Sequence, residues 1–394
     1  IDVLDLTKEE NPEEKMEAYI QEDINTQFDM EHGPLFSVCV FQLKEEEYLF
    51  YYNMHHIISD GRSKEIMARD VLAFYRAFEE NTKPVLPELR IQYNDFATWQ
   101  IGRLNSEELL EDEKYWINQF SNELPILDLP ISKKRPSLRT IQGRRLRTLL
   151  PKSLSAQVKA FSSAQNGTLF MTLLAATKAV LYRYTQQNDF IIGSPVAGRE
   201  HGDLEDQIGV YINMLALRTE IGENDSFQTL FQQVKETAIQ GFNHQEYPFD
   251  YLVEKLNLQA DTSRNALFDV ILILHNAIEN AKASEPGIFT DLGSVHSKYD
   301  LELSFQEFGE QISFMIDYNE DLYDRNDVER FMSHFISLLS TSIENKEEKL
   351  STLSWLNQGE RKKIFNEFNS EIERDTTLPN VINLIAVSYT HLRA

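Results

Sequence analysis

The sequence predicts an α/β protein of layered sheets with packed helices, and three observations carry that prediction. Segments with apolar residues at helical spacing alternate along the chain with short apolar runs of strand character. The 394 residues are too many for one ordinary domain and suit two or three. Hydrophobic residues at 42% and charged residues at 26% supply a real core inside a soluble surface.

The chain opens in a strand-like run, Ile1-Asp2-Val3-Leu4-Asp5. Residues 11–28 read as a helix, with Asn11 as N-cap, Pro12 at the first helical position, and Met16, Tyr19, Ile20 and Ile24 on one face. Leu35–Leu43 and Tyr48–His56 read as strands of a hairpin closed by Lys44-Glu45-Glu46-Glu47. A second helix starts near Ser63, with Met67, Val71, Phe74, Tyr75 and Phe78 at helical spacing. Asn81–Arg90 holds Pro84 and Pro87 and is the best lobe boundary, separating residues 1–90 from 91–355.

Beyond it, Leu109–Phe120 reads as a helix and Leu124–Arg139 as a Pro-rich irregular stretch. Helices follow at Ser153–Ala164, Leu169–Tyr184, Phe227–Gly241 and Asp327–Glu344. Strands are expected at Phe190–Gly193, Val210–Thr219, Phe268–Leu274 and Ile312–Tyr318.

Composition excludes several functions. Thirty-eight Lys and Arg against 63 Asp and Glu give a net charge of −25, whose field repels nucleic acid and anionic membranes. No run of eighteen apolar residues exists, so no spanning helix is expected. A lone cysteine, Cys39, forms no internal disulfide, and with no secretory signal the expected compartment is the cytoplasm. With no initiator Met, the sequence reads as an excised piece. No P-loop, dinucleotide fingerprint or serine-hydrolase elbow occurs, and no His/Cys cluster has metal-ligand spacing.

The richest stretch is Met54-His55-His56-Ile57-Ile58-Ser59-Asp60-Gly61. On a strand, His56 shares a face with Phe50, Tyr52 and Met54, and His55 shares the other with Leu49, Tyr51 and Asn53. His56, at the strand end, is the one placed to reach an open channel. Asp60-Gly61 falls in the turn before the next helix, where glycine permits φ > 0 and Asp60 bonds backbone or pairs with an arginine. An imidazole there suits general-base work or substrate orientation. The residues alone also fit two partly buried histidines with no chemistry, and both readings stand at this point.

The stretch resembles the HHxxxDG motif of the condensation domains of nonribosomal peptide synthetases, and further segments follow in the family's order. Tyr93-Asn94-Asp95-Phe96-Ala97-Thr98-Trp99 resembles YxDFAxW. Ser194-Pro195-Val196-Ala197-Gly198-Arg199 precedes Ile208–Arg218, which resembles IGxFVNTxxxR. His244–Asp250 resembles HQDxPFE, and Ser263–Phe268 resembles SRNPLF. Arg62 and Met214 depart from the usual residues at their positions. The family's first two motifs do not occur, so the first lobe is expected to be incomplete. Trp355-Leu356-Asn357, Glu360-Arg361 and Phe365-Asn366 resemble the lead-in to an adenylation domain. Residues 356–394 are therefore expected to be a linker, with 382–394 departing from the pattern as an artefact would.

The resemblance implies a V-shaped pair of chloramphenicol-acetyltransferase-like α/β lobes around a tunnel, the first incomplete. It implies amide formation between a donor acyl or peptidyl thioester and the amine of an acceptor aminoacyl thioester. Both ride on the phosphopantetheine of upstream donor and downstream acceptor carrier domains, beside an adjacent adenylation domain. No cofactor or metal is bound by the domain itself. His56 would orient or deprotonate the amine, and backbone N–H groups near Gly61 would stabilise the oxyanion. His55 would lie on the opposite face. Asp60 would pair with an arginine of the second lobe, Arg199 first and Arg218 as the alternative. Asn213 would line the tunnel. Trp99, Tyr247, Pro248, Phe249 and Phe268 would serve core and turn. The Ala216-Leu217-Arg218 ending resembles domains taking an L-configured donor. A stand-alone acyltransferase using soluble thioesters and a non-catalytic carrier-docking module are the alternatives. With part of the first lobe missing, Phe36, Val38 and Val40 would be left uncovered.

Overall fold

In the computed structural model of this chain, the described residues are 1–104, 106–258, 261–275 and 296–368. The expected artefactual end at 382–394 lies outside them, as does part of the expected linker.

The N-terminal part is a small sheet backed by one helix. Strand β1 (Asp2–Asp5) runs parallel to β2 (Phe36–Lys44), which pairs antiparallel with β3 (Glu47–Met54); helix α1 (Pro12–Asn25) lies between β1 and β2 in sequence. Because side chains alternate along a strand, Cys39, Phe41 and Tyr51 share one face and bury against Met16 and Ile20 of α1. The carboxylate of Asp23 on α1 stitches helix to sheet, accepting from Ser37 Oγ (2.9 Å), Tyr51 OH (2.7 Å) and Asn53 Nδ2 (2.9 Å). The other sheet face is open: Phe36 is 50% exposed, and Val38 and Val40 are half-buried.

Helix α2 (Gly61–Glu79) follows. Its expected apolar stripe packs only in part: Met67 and Val71 are half-buried, whereas Phe74, Tyr75 and Phe78 are exposed. The buried line runs instead through Ser63, Ile66 and Ala77. Gly209, on a loop of the second lobe, covers Ser63, so a polar residue is buried where apolar periodicity anticipates a surface.

The second lobe carries most of the chain. Helices α3 (Tyr93–Arg103) and α4 (Glu107–Gln119) lead into strand β4 (Gly143–Leu149), then α5 (Lys152–Ala164), α6 (Leu169–Thr185), β5 (Asp189–Val196) and β6 (Asn213–Glu220). Helices α7 (Phe227–Asn243) and α8 (Phe249–Lys255) precede β7 (Val270–His275), β8 (Leu301–Phe308) and β9 (Gln311–Asn319); α9 (Arg325–Glu344), α10 (Gln358–Lys362) and a π-helical turn over Lys363–Phe368 close the described chain. The six strands order as β4-β9-β8-β7-β5-β6, with β7 parallel to both β5 and β8. Phe190, Leu272, Phe305 and Phe314 point from this sheet into a core with Val180, Phe231 and Phe335 of the helices. Helix α6 is apolar nearly all round and correspondingly buried from Met171 to Leu181.

Two strands stop or start where pairing gives way to a turn. The expected strand Tyr48–His56 ends at Met54, because His55 N–H bonds Leu35 O (2.9 Å) while Ile58 N–H bonds back to His55 O (3.1 Å). The expected strand from Val210 begins at Asn213, because the preceding residues form the joint described next.

Candidate functional site

Asp60 ends the turn that carries the two histidines and begins α2. It is the N-cap, in extended geometry, with Oδ1 accepting the Ser63 backbone N–H (2.8 Å). That ordinary cap is also the partner of Arg199 of the second lobe, whose Nη2 lies 3.1 Å and 3.2 Å from the two carboxylate oxygens. Both side chains are only 4% exposed. The Tyr211 backbone N–H adds a bond to Oδ2 (3.2 Å). Burial pushes the Asp60 carboxyl up, but the Ser63 hydroxyl and N–H, the Tyr211 N–H and the Arg199 charge outweigh it and hold the group below its ordinary value.

Ser63 is the second half of the joint. Wholly buried, its Oγ sits 2.8 Å from Asp60 Oδ1 and 2.9 Å from Gly209 O, and accepts from Gly209 N–H (3.1 Å) and Arg199 Nη2 (3.3 Å). Its single hydroxyl proton serves one of the two acceptors at a time. Arg199 continues into its own lobe, donating from Nη1 to Gln207 O (2.7 Å) and Leu204 O, with its guanidinium 4.1 Å from the Tyr211 ring. Two glycines make the close approach possible. A Cβ on Gly198, where φ is +62°, would stand 1.9 Å from Tyr211 O, and one on Gly209 would stand 2.3 Å from the Tyr93 ring. Outer pairs, Arg69 with Asp206 and Arg90 with Asp203 (3.3 Å), hold the same loop.

The histidines sit on the turn this joint pins. His55 is half-buried, its Nδ1 accepting Ile57 N–H (3.0 Å) and its ring edge-on to Phe28. His56 is exposed, and its ring makes no hydrogen bond among the described residues. The two therefore differ by role in the turn rather than by strand face: one ring is spent on the backbone and the other is free. Gly61 departs from expectation too. It has no positive φ; it is the first residue of α2, and nothing lies within 4 Å of where its Cβ would be. That open space borders the first amides of the helix, Gly61 and Arg62, which have no acceptor among the described residues.

Other expected residues lie elsewhere. Arg218 forms a two-pronged pair with Asp189 (3.0 Å and 2.7 Å) and donates to Gln119 O and Glu123 O, wholly inside the second lobe. Asn213 spends its amide on the His244–Asp250 segment, donating to Gln245 O and Tyr247 O (2.7 Å each) and accepting Phe249 N–H (3.0 Å). Tyr247 and Phe268 are core, and Pro248 caps α8. Trp99 is not core: it is 50% exposed and lies beneath the Arg103 guanidinium (4.9 Å), while Phe96 takes the buried place. Among the described residues, no group of three or more His, Cys, Asp or Glu is placed to hold a metal ion, and no helix is long and apolar enough to cross a membrane.

Two α/β lobes are thus joined across a buried Asp–Arg pair, with an exposed histidine on the turn before it. The Condensation domain family model matches residues 1–365, and the chain belongs to the condensation-domain family of nonribosomal peptide synthetases. It is 35% identical over 380 residues to gramicidin S synthase 2 of Brevibacillus brevis, covering 96% of this chain and 8% of that protein. To bacitracin synthase 1 of Bacillus licheniformis it is 34% identical over 363 residues, covering 91% and 7%. The chain thus spans less than a tenth of the length of these relatives. Among solved structures, the X-domain from teicoplanin biosynthesis superposes with a TM-score of 0.79 at 22% identity, covering 90% of this chain and 82% of that one. The first condensation domain of the CDA synthetase superposes at 0.72 and 20% identity, covering 90% and 78%. The lobes are those of the chloramphenicol-acetyltransferase-like fold.

Sequence reading missed Ser63, Gly209 and Tyr211. Ser63 had a legible signal: it stands at the third helical position after an Asp N-cap, where a short polar side chain folds back on the cap.

Proposed function

We propose that this domain forms an amide bond between a donor acyl or peptidyl thioester, of L configuration at its reacting residue, and the amine of an acceptor aminoacyl thioester. Both substrates are carried on phosphopantetheine by separate carrier domains of a multidomain synthetase in the cytoplasm, and residues from 356 onward lead to an adenylation domain. The lobes divide at residues 81–90 and enclose the tunnel in which the two thioesters meet. A thioester is already activated, so holding two of them together supplies most of what the reaction requires. The acceptor nitrogen attacks the donor carbonyl, the C–S bond breaks, and the proton lost by nitrogen passes through the His56 imidazole to the departing sulfur. The open amides of Gly61 and Arg62 face the developing oxyanion. Asp60 and Arg199 are positioning residues, as is His55.

The observation that carries this reading is the unpartnered His56 ring on a turn held rigid by a buried inter-lobe ion pair. Its test is single-turnover amide formation with donor and acceptor carriers. His56→Ala is expected to lower the rate on the order of 10²–10⁴-fold with unchanged thermal unfolding. Near-normal turnover by that variant overturns the role of His56. Turnover with coenzyme A thioesters and no carrier points instead to a soluble-substrate acyltransferase.

A further inference from the structure

The segment singled out by sequence as a lead-in, Trp355 to Arg361, is anchored on the second lobe by a histidine that the reaction does not use. His334 of α9 is buried, and both of its ring nitrogens are engaged. Nδ1 lies 2.6 Å from Tyr184 OH at the end of α6, and Nε2 lies 2.8 Å and 2.9 Å from the two carboxylate oxygens of Glu360. With the ring proton on Nε2, Tyr184 donates to the ring and the ring donates to Glu360, so every polar atom of the relay is satisfied. Glu360 also closes the capping box of α10, accepting Asn357 N–H (3.1 Å) while Asn357 Oδ1 accepts Glu360 N–H (2.9 Å). The short helix therefore has its N-terminus and its attachment point in one residue.

Trp355 fills the corner beneath. Its ring is 4.6 Å from His334 and 5.1 Å from Tyr184, and the Arg183 guanidinium lies 5.6 Å from it. Arg183 holds the chain just upstream, donating to the carbonyls of Leu350 (2.6 Å) and Leu353 (3.1 Å). A connector that only had to span a gap would be served by solvated polar residues. Here a short helical segment, α10 continued by a π-helical turn over Lys363–Phe368 and too short to persist alone, is bound through a buried imidazole, an aromatic ring and an arginine.

We infer that the His334–Glu360 clamp fixes the direction in which the chain leaves the second lobe, and so sets the position from which a following domain delivers its carrier-bound substrate. This rests on the reading of the chain as one domain of a synthetase. The clamp lies among α6, α9 and α10, and none of its residues belongs to the Asp60–Arg199 joint or the His56 turn. Breaking it frees the exit without altering the reacting groups, and the cost appears only when the acceptor carrier is covalently tethered downstream.

The experiment has two arms. In the first, trypsin cleavage after Arg361, Lys362 and Lys363 of this chain is timed in wild type, His334→Leu and His334→Gln. Losing the charge-assisted bond raises local opening, and His334→Leu is expected to be cut about tenfold to a hundredfold faster. His334→Gln keeps a donor toward Glu360 and is expected to recover most of the protection. In the second arm, condensation is measured in the intact synthetase and again with donor and acceptor carriers supplied as separate proteins. His334→Leu is expected to slow the tethered reaction by about threefold to tenfold and to leave the untethered one within about twofold. If His334→Leu fails to fold, Glu360→Ala, at a half-buried position, reads the same losses. Unchanged cleavage overturns the clamp; faster cleavage with an unchanged tethered rate overturns its positioning role, and so does an equal fall in both reactions. If the wild type forms no amide with separate carriers, the condensation reading fails, and the cleavage arm alone judges the clamp.

Discussion

Two of the aspartate–arginine pairs in this chain, those of Arg199 and Arg218, do opposite work. Asp60–Arg199 crosses between lobes with both side chains 4% exposed, and its carboxylate is enclosed by Ser63, Tyr211 and the guanidinium. Asp189–Arg218 is intramural, with side-chain exposures of 25% and 15%, joining β5 to the neighbouring β6 and tying the Gln119 and Glu123 carbonyls to the sheet. Both arginines are candidates by sequence, since each closes a family-like segment. What separates them is desolvation. A pair that water still reaches contributes little, whereas a pair sealed between lobes leaves an uncompensated charge if either partner goes.

The sharpest way to break the contrast is to remove one carboxylate from each pair. Asp60→Ala strands Arg199 and is expected to cost about 3–5 kcal/mol in urea unfolding, with a lower melting temperature and a matching loss of condensation. The pH dependence carries the same sign. The folded-state pKa of Asp60 lies below its ordinary 3.8, so its contribution is present above that value and is lost only as pH falls below it. Acid unfolding of Asp60→Asn should lack that component. A cost under about 1 kcal/mol for Asp60→Ala would mean that the joint is wetter than its exposure implies.

Next in size is an effect beside the second pair. Lys178 on α6 is fully buried, donates to Leu217 O (2.7 Å), and is pushed down to about 7 by burial, with Asp189 opposing. Above that pH the unfolded chain holds a proton that the folded chain does not. Stability is therefore expected to rise with pH from about 7 toward the ordinary lysine value of 10.5, by up to about 1.4 kcal/mol per pH unit. Lys178→Met should flatten that slope in denaturant titrations at several pH values; a slope that survives the substitution assigns it elsewhere. Smallest is Arg218→Ala, expected to cost about 1–2 kcal/mol and to leave condensation per folded molecule unchanged. A larger fall in turnover than in stability would give Arg218 a part in the chemistry after all.

Much of this is legible in the chain. The hairpin, α1, α5, α6, α7 and α9 announce themselves by period, because each buries one face or all of its circumference. Helix α3 does not, since Trp99 and Ile101 remain exposed and only Phe96 is buried. Strand β4 is an edge strand in which Arg144, Arg145 and Arg147 surround a single buried leucine. Strand β8, absent from the expected strands, does carry a readable pattern: Leu301, Leu303 and Phe305 alternate with Glu302, Ser304 and Gln306. At the site, the turn and its charges are visible, but strand alternation assigns the histidines to opposite faces of a strand that ends before either. Ser63's bond to the Asp60 cap is local and readable, but its cross-lobe partner Gly209 lies 146 residues away, beyond any local pattern. His334 escapes for the same reason, as a lone histidine on an apolar helix face whose acid arrives 26 residues later.

Asp60 caps its helix before it has a counter-ion. On a ribosome, 139 further residues must be made before Arg199 exists, roughly seven to thirty seconds at ordinary elongation rates. During that interval the carboxylate can serve α2 as a hydrated cap, a state that water supports without penalty. Arrival of the second lobe then exchanges water for guanidinium in a single late closure of a very long loop. The nascent first lobe is thereby spared a buried unpaired charge, and its apolar sheet face and α2 stripe, still open, are the surfaces a chaperone would meet while synthesis continues.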